Sequence, residues 1–201
     1  MTAGEVEVDL PKNTMHSFEC DASRITWSIH VRGDIEFWPD IALEFPVTVR
    51  PRGYRWDEPA MILLSHEGVQ RDDPLWINAG SRSFRPGQPI SLRVGWNCHE
   101  IPRFMQLRVA WNTSGPGHDR FGLAERETFV PEGRSGEKEL SITLPEEPYS
   151  FSGGVLLIIW AFELIEFPSR ESTRVVFVMG PGGKEVIADS LKKEWAARRE
   201  S

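Results

Sequence analysis

Residues 144–160 read LPEEPYSFSGGVLLIIW, and residues 10–27 read LPKNTMHSFECDASRITW. Leu-Pro, Ser-Phe and Trp recur in the same order, 133 or 134 positions apart. The alternation of side chains persists where the letters change. Val6, Val8 and Leu10 occupy every second position ahead of the first Leu-Pro, as Leu140, Ile142 and Leu144 do ahead of the second. Such a period of two marks a half-buried strand. Ile25, Trp27, Ile29 and Val31 then match Ile158, Trp160, Phe162 and Leu164, which puts an indole on the inward face of a further strand. Phe45, Val47 and Val49 match Val175, Phe177 and Met179 at an offset of 130, so the three-residue slip falls in a loop. Three strands kept in phase and in order predict one and a half copies of a structural unit.

Working outward, seven strands are predicted between Pro74 and Met179, in 74–78, 90–96, 104–111, 120–130, 138–144, 154–166 and 173–179. Turn residues such as Arg85-Pro86-Gly87-Gln88 and Ser114-Gly115-Pro116-Gly117 separate them. Seven short strands in about a hundred residues predict an all-β, immunoglobulin-like sandwich. The expected organisation is therefore 1–52 as the closing strands of a partial sandwich, 53–73 as a connection, 74–182 as a complete sandwich and 183–201 as a helical tail. The tail rests on Ile187, Leu191 and Trp195 at four-residue spacing. Within the connection, Asp57 is a candidate cap for a short helix through Ala60, Met61 and Leu64. Three strands alone leave one apolar face wet. The missing strands are expected from an upstream remainder, in preference to another chain or to docking on the complete sandwich.

The chain has 201 residues, 40% of them hydrophobic, a formal net charge of -7 and a pI near 5.3. That hydrophobic content supports an ordinary core. With no run of Lys and Arg to follow a phosphate backbone, nucleic acid is not an expected partner. The longest apolar run, Val155 to Phe162, is too short to cross a bilayer, and the first residues lack a signal layout. The two cysteines, Cys20 and Cys98, do not indicate a disulfide framework. A cytoplasmic protein is expected, with at most peripheral membrane contact through the cationic tail.

A Pro-Gly entry before a long strand (Phe84-Arg85-Pro86-Gly87), then Leu-Pro, Ser-Phe and an inward aromatic, resembles the arrestin fold. That family, which includes arrestins, alpha-arrestins, the retromer cargo-binding subunit and bacterial sporulation-control proteins, places two seven-stranded sandwiches in tandem. The likeness covers Phe84 through Pro181 as one nearly whole domain and Glu5 through Pro51 as the end of another. Trp38-Pro39-Asp40 followed by Phe45-Pro46-Val47-Thr48-Val49 is similar to bacterial members. The resemblance implies a non-catalytic adaptor or scaffold that binds other proteins. It does not extend to the phosphate-sensing core, the clathrin-type tail or the Pro-Pro-x-Tyr motif of animal members.

Several residue groupings hold side chains of chemically active types. Eight tryptophans suggest a sugar-stacking platform as the alternative function. Trp27, Trp96, Trp111 and Trp160, however, fall in phase with aliphatic neighbours and read as core. Trp38, Trp56 and Trp76 lie in loops or strand ends and remain candidate contacts. Cys98-His99-Glu100 and His118-Asp119 hold metal-ligating types, but neighbours in an extended segment point to opposite sides, so no metal site is expected. Gly133-Arg134-Ser135-Gly136 is one residue short of a nucleophile elbow, and Gly180-Pro181-Gly182-Gly183-Lys184 lacks the Gly-Lys-Ser/Thr ending of a phosphate loop. No catalytic residue and no cofactor are expected. The strand around Trp160 is apolar on both faces, with Val155, Leu157 and Ile159 on the outer one. A wet outer face does not read that way, so a cover is expected, from the tail, residues 58–70, a partner or a second copy. Val155, Leu157, Ile159, Trp38 and Trp76 form the expected interaction surface.

Overall fold

A computed structural model describes residues 5–10, 14–20, 23–33, 41–51, 73–115 and 119–188. The fold is all-β. In chain order the strands are β1 (Phe18–Cys20), β2 (Ser23–Ile25), β3 (Trp27–Gly33), β4 (Ile41–Val47), β5 (Leu75–Asn78), β6 (Ser83–Phe84) and β7 (Pro89–Asn97). They continue as β8 (Phe104–Ser114), β9 (Arg120–Phe129), β10 (Ser135–Thr143), β11 (Phe151–Ser152), β12 (Leu157–Phe167), β13 (Ser172–Met179) and β14 (Val186–Ile187). Each of the seven strands expected after Pro74 is present. The strands not expected from the sequence are the two-residue β6, β11 and β14 and the three-residue β1, all too short to display an alternation.

β5 to β14 build a two-layer sandwich. One layer runs β10-β7-β5, all antiparallel. The other centres on β12, which lies between β8 and β13, with β9 beyond β8 and β6 beyond β13. The alternation on each strand fills the space between the layers. Ile77, Leu92, Val94 and Leu140 from one side meet Leu107, Val109, Trp160, Phe162, Leu164 and Phe177 from the other, and all are buried. Phe162 stacks on Phe177 with centroids 4.2 Å apart, and Phe84 meets both edge-on.

Three tryptophans lie over glycines directly opposite them on the neighbouring strand. Trp76 pairs with Gly95, Trp96 with Gly136 and Trp111 with Gly122. A Cβ on those glycines would stand 2.0, 2.7 and 2.1 Å from the indole. The glycines are thus the space that lets each ring lie flat across its partner strand.

The closing strands of the sandwich and the N-terminal strands share their local geometry. Trp160 faces Phe177 across β12 and β13, and Trp27 faces Val47 across β3 and β4. The Trp160 indole N–H donates to the carbonyl of Pro148 at 2.8 Å, and that of Trp27 to the carbonyl of Met15 at 3.0 Å. Ser150 donates its backbone N–H to Met179 and accepts the Met179 N–H on its Oγ, at 2.6 and 2.9 Å. Ser17 makes the same double contact with Val49, at 2.8 and 2.9 Å. Phe151 faces Ile158, and Phe18 faces Ile25.

Three expectations need correction. Val6, Val8 and Leu10, expected in a half-buried strand, belong to no strand and are exposed, because no neighbouring strand among the described residues pairs with them. Trp27 was expected in a core, yet it is only half-buried, because among the described residues β3 and β4 form a two-stranded sheet with no layer facing it. The helical tail does not begin at residue 183. After a turn at Pro181–Gly183, where Gly182 and Gly183 take φ of 64° and 72°, Val186–Ile187 runs as a strand parallel to β11. Val186 and Ala188 donate backbone hydrogen bonds to Ser150 and Ser152, which outweigh the helical spacing of Ile187. Leu191, Trp195, the connection through Asp57 and the Trp38 loop lie outside the described residues.

Candidate interaction surfaces

The N-terminal strands meet the sandwich through a second, smaller core. Met15 and Phe18 pack with Tyr149, Leu156, Ile158 and Val186, and Ile25, Trp111 and Phe151 close its margin. Phe18 meets Trp111 edge-on at 5.6 Å. At its centre His16 is buried, accepting the Tyr149 backbone N–H on Nε2 at 3.4 Å and donating from Nδ1 to the Ser17 carbonyl at 2.7 Å. A neutral imidazole with its proton on Nδ1 satisfies both contacts. Docking on the complete sandwich, one of the two outcomes to which an upstream remainder was preferred, is thus made through β1 and the residues before it, not through the apolar face of β3 and β4.

The outer face of the β9-β8-β12-β13 layer carries a polar end and an apolar end. At the polar end Arg108 donates to Gln106 at 2.7 Å and sits 3.6 Å from Glu163. At the apolar end one row crosses four strands in register: Leu123, Ala110, Ala161 and Val176. Beside it lie Ile159 and Leu157, both half-buried, and Phe121 opposite Asn112. Leu123, Val176 and Phe121 are about half exposed, at 46%, 49% and 55%. Of the residues expected here, Leu157 and Ile159 belong to this face, whereas Val155 precedes β12 in a bend and is 78% exposed. Trp76 lies on β5, half-buried, with one face of its ring laid over Gly95. Trp38 lies outside the described residues. The sequence reading missed Phe121, Leu123 and Val176. Their signal was the pair Phe121 and Leu123 two places apart on β9 and the run Val175-Val176 on β13, which is apolar on both faces.

A third surface is the open face of β3 and β4. Ile29, Val31, Ile41, Leu43 and Phe45 share it, between 38% and 51% exposed. The charged residues of the two strands, His30, Arg32 and Glu44, are on the reverse side, where His30 bonds Ser28 at 2.9 Å and lies 3.7 Å from Glu44.

The Cys98 thiol has a perturbed acidity. Burial pushes its pKa up, and the carboxylates of Glu166 and Glu171 push it further the same way. A nucleophilic cysteine needs the opposite shift. Among the described residues no group of three His, Cys, Asp or Glu side chains is placed to hold a metal ion, and no helix is long and apolar enough to cross a membrane.

Two layers of antiparallel strands, closed by a Ser-Phe corner and an inward tryptophan, and preceded by a second corner of the same geometry, decide the fold. It is an arrestin-like β-sandwich. No family model matches the chain, and no curated protein matches it in sequence. Among solved structures the arrestin-like chain is similar to the sporulation control protein Spo0M from Bacillus subtilis, at 13% identity and a TM-score of 0.41. The match covers 53% of this chain and 49% of that one, so the chain spans about half the length of that protein.

Proposed function

We propose that this chain is a non-catalytic protein-binding module, a scaffold or regulatory adaptor of arrestin-like type working in the cytoplasm. The observation that carries this reading is the apolar row Leu123, Ala110, Ala161 and Val176 on the outside of a sheet whose inside is already filled. A sandwich needs only one apolar face per sheet to fold, so a second one is surface kept for contact. The raised pKa of the Cys98 thiol argues in the same direction, away from nucleophilic catalysis. We read the matched geometry of the two Ser-Phe corners as one and a half copies of a unit, residues 1–52 partial and 74–182 complete.

A photo-crosslinking residue at position 176, introduced in cells, tests this. Adducts with a defined polypeptide that disappear in Leu123→Asp are the expected result. The reading fails if position 176 gives no polypeptide adduct while the protein is folded and abundant.

A further inference from the structure

The face of β3 and β4 has no counterpart in this reading, because it is the inner face of its unit and not the outer one. Of the positions matched to Ile29, Val31 and Phe45, Phe162 and Leu164 are buried under the β10-β7-β5 layer and Val175 packs against the same core. The same side chains on β3 and β4 face water. We propose that this face is where a second copy of the chain docks, the two β3–β4 sheets packing face to face as the layers of a sandwich do.

Three observations favour a second copy as the occupant. First, the face is uncharged from end to end, with His30, Arg32 and Glu44 all on the reverse side, so a copy of itself meets it without burying a charge. Secondly, the area suffices. Five large side chains exposed by 38–51% amount to about 400 Å² of apolar surface, the size of the largest patch a monomer ordinarily displays. Two such faces bury about 800 Å² of apolar surface, and the polar rims around them bring the contact toward the roughly 1,200 Å² at which stable interfaces begin. Thirdly, the chain exposes a further apolar row, Val6, Val8 and Leu10, at 84%, 57% and 51%. Residues 134 positions on, Leu140 and Leu144, lie in the core against Trp160 and Phe162. Each copy therefore brings both a like face and an exposed apolar segment, Val6 to Leu10, whose matched residues belong to the core of the sandwich.

Sedimentation equilibrium of the full chain over a range of concentrations tests the proposal. A reversible monomer–dimer equilibrium is expected. Phe45→Asp and Leu43→Lys, each at the centre of the face, should weaken it by about tenfold or more. Val176→Asp, on the outer face of the sandwich, should leave it unchanged. Near-ultraviolet circular dichroism of the variants reports whether the sandwich stays folded, and using two different variants guards against the failure of one. A chain that remains monomeric at every concentration overturns the proposal, as does a dimer that survives both Phe45→Asp and Leu43→Lys or is lost in Val176→Asp. A monomer that still crosslinks a partner through position 176 would leave the adaptor reading standing.

Discussion

His16 and Tyr149 stand 133 positions apart, at the same place in the two Ser-Phe corners, and they touch. Their rings meet edge-on with centroids 4.7 Å apart, and the Tyr149 backbone N–H reaches the His16 ring nitrogen. Matched residues are thus in mutual contact where the two corners meet. Phe18 and Phe151, and Ile25 and Ile158, lie in the same small core.

Replacing His16 by Ala should therefore loosen the N-terminal strands from the sandwich. It removes a buried ring and leaves the Tyr149 N–H without the acceptor nitrogen, at a cost of about 2–4 kcal/mol to that junction. Hydrogen exchange at the amides of β1 and β2 should accelerate, while those of β7 and β8 should not. Unchanged protection at β1 would show that the junction does not depend on the imidazole.

Gly122→Ala should cost about 1–3 kcal/mol, because its methyl would collide with the Trp111 ring and push it off the strand. Gly95→Ala and Gly136→Ala should behave alike through Trp76 and Trp96. Denaturant midpoints measure the cost. A red shift in emission reports the displaced ring, and no change in either would contradict the flat-lying geometry.

The two matched indoles should respond unequally to removal of their N–H. Trp160→Phe strands the buried Pro148 carbonyl and should cost about 1–3 kcal/mol. Trp27→Phe removes the same hydrogen bond from a half-buried site where water can substitute, and should cost under about 1 kcal/mol. Equal losses in urea melts would mean that the open face is covered in solution.

Alkylation of Cys98 should be slow and displaced to high pH. Its pKa is raised, so at any pH below that value less thiolate is present than in an ordinary thiol, and reactivity appears only as pH climbs through the raised value. Glu171→Gln removes one of the two negative charges and should move the rate profile to lower pH. A Cys98 that reacts with iodoacetamide as readily as a free thiol at neutral pH would refute the assigned burial and charge.

The architecture was largely legible because alternation along β7, β8, β12 and β13 is long enough to fix which side chains point inward. Trp160, Leu92 and Leu107 lie where their period places them. Burial at Trp27 was not legible, since a strand's own pattern states which face is apolar and not whether another layer lies over it. The strand at Val186–Ile187 was hidden for a related reason. Four-residue spacing around Ile187 satisfies a helix, and only the free carbonyls of Ser150 and Ser152, far away in sequence, make an extended backbone preferable. The outer apolar row was half visible, through Leu157 and Ile159, because it is assembled across four strands and no single one displays it.

The double contact of Ser17 with Val49, and of Ser150 with Met179, has a consequence for how such folds diversify. Each serine fastens a turn to a strand end some thirty residues away without help from the opposite layer. The fastening holds at the covered site and at the uncovered one alike. Half a sandwich that carries its own fastener is portable: it can be cut from one partner layer and offered to another with its register already set.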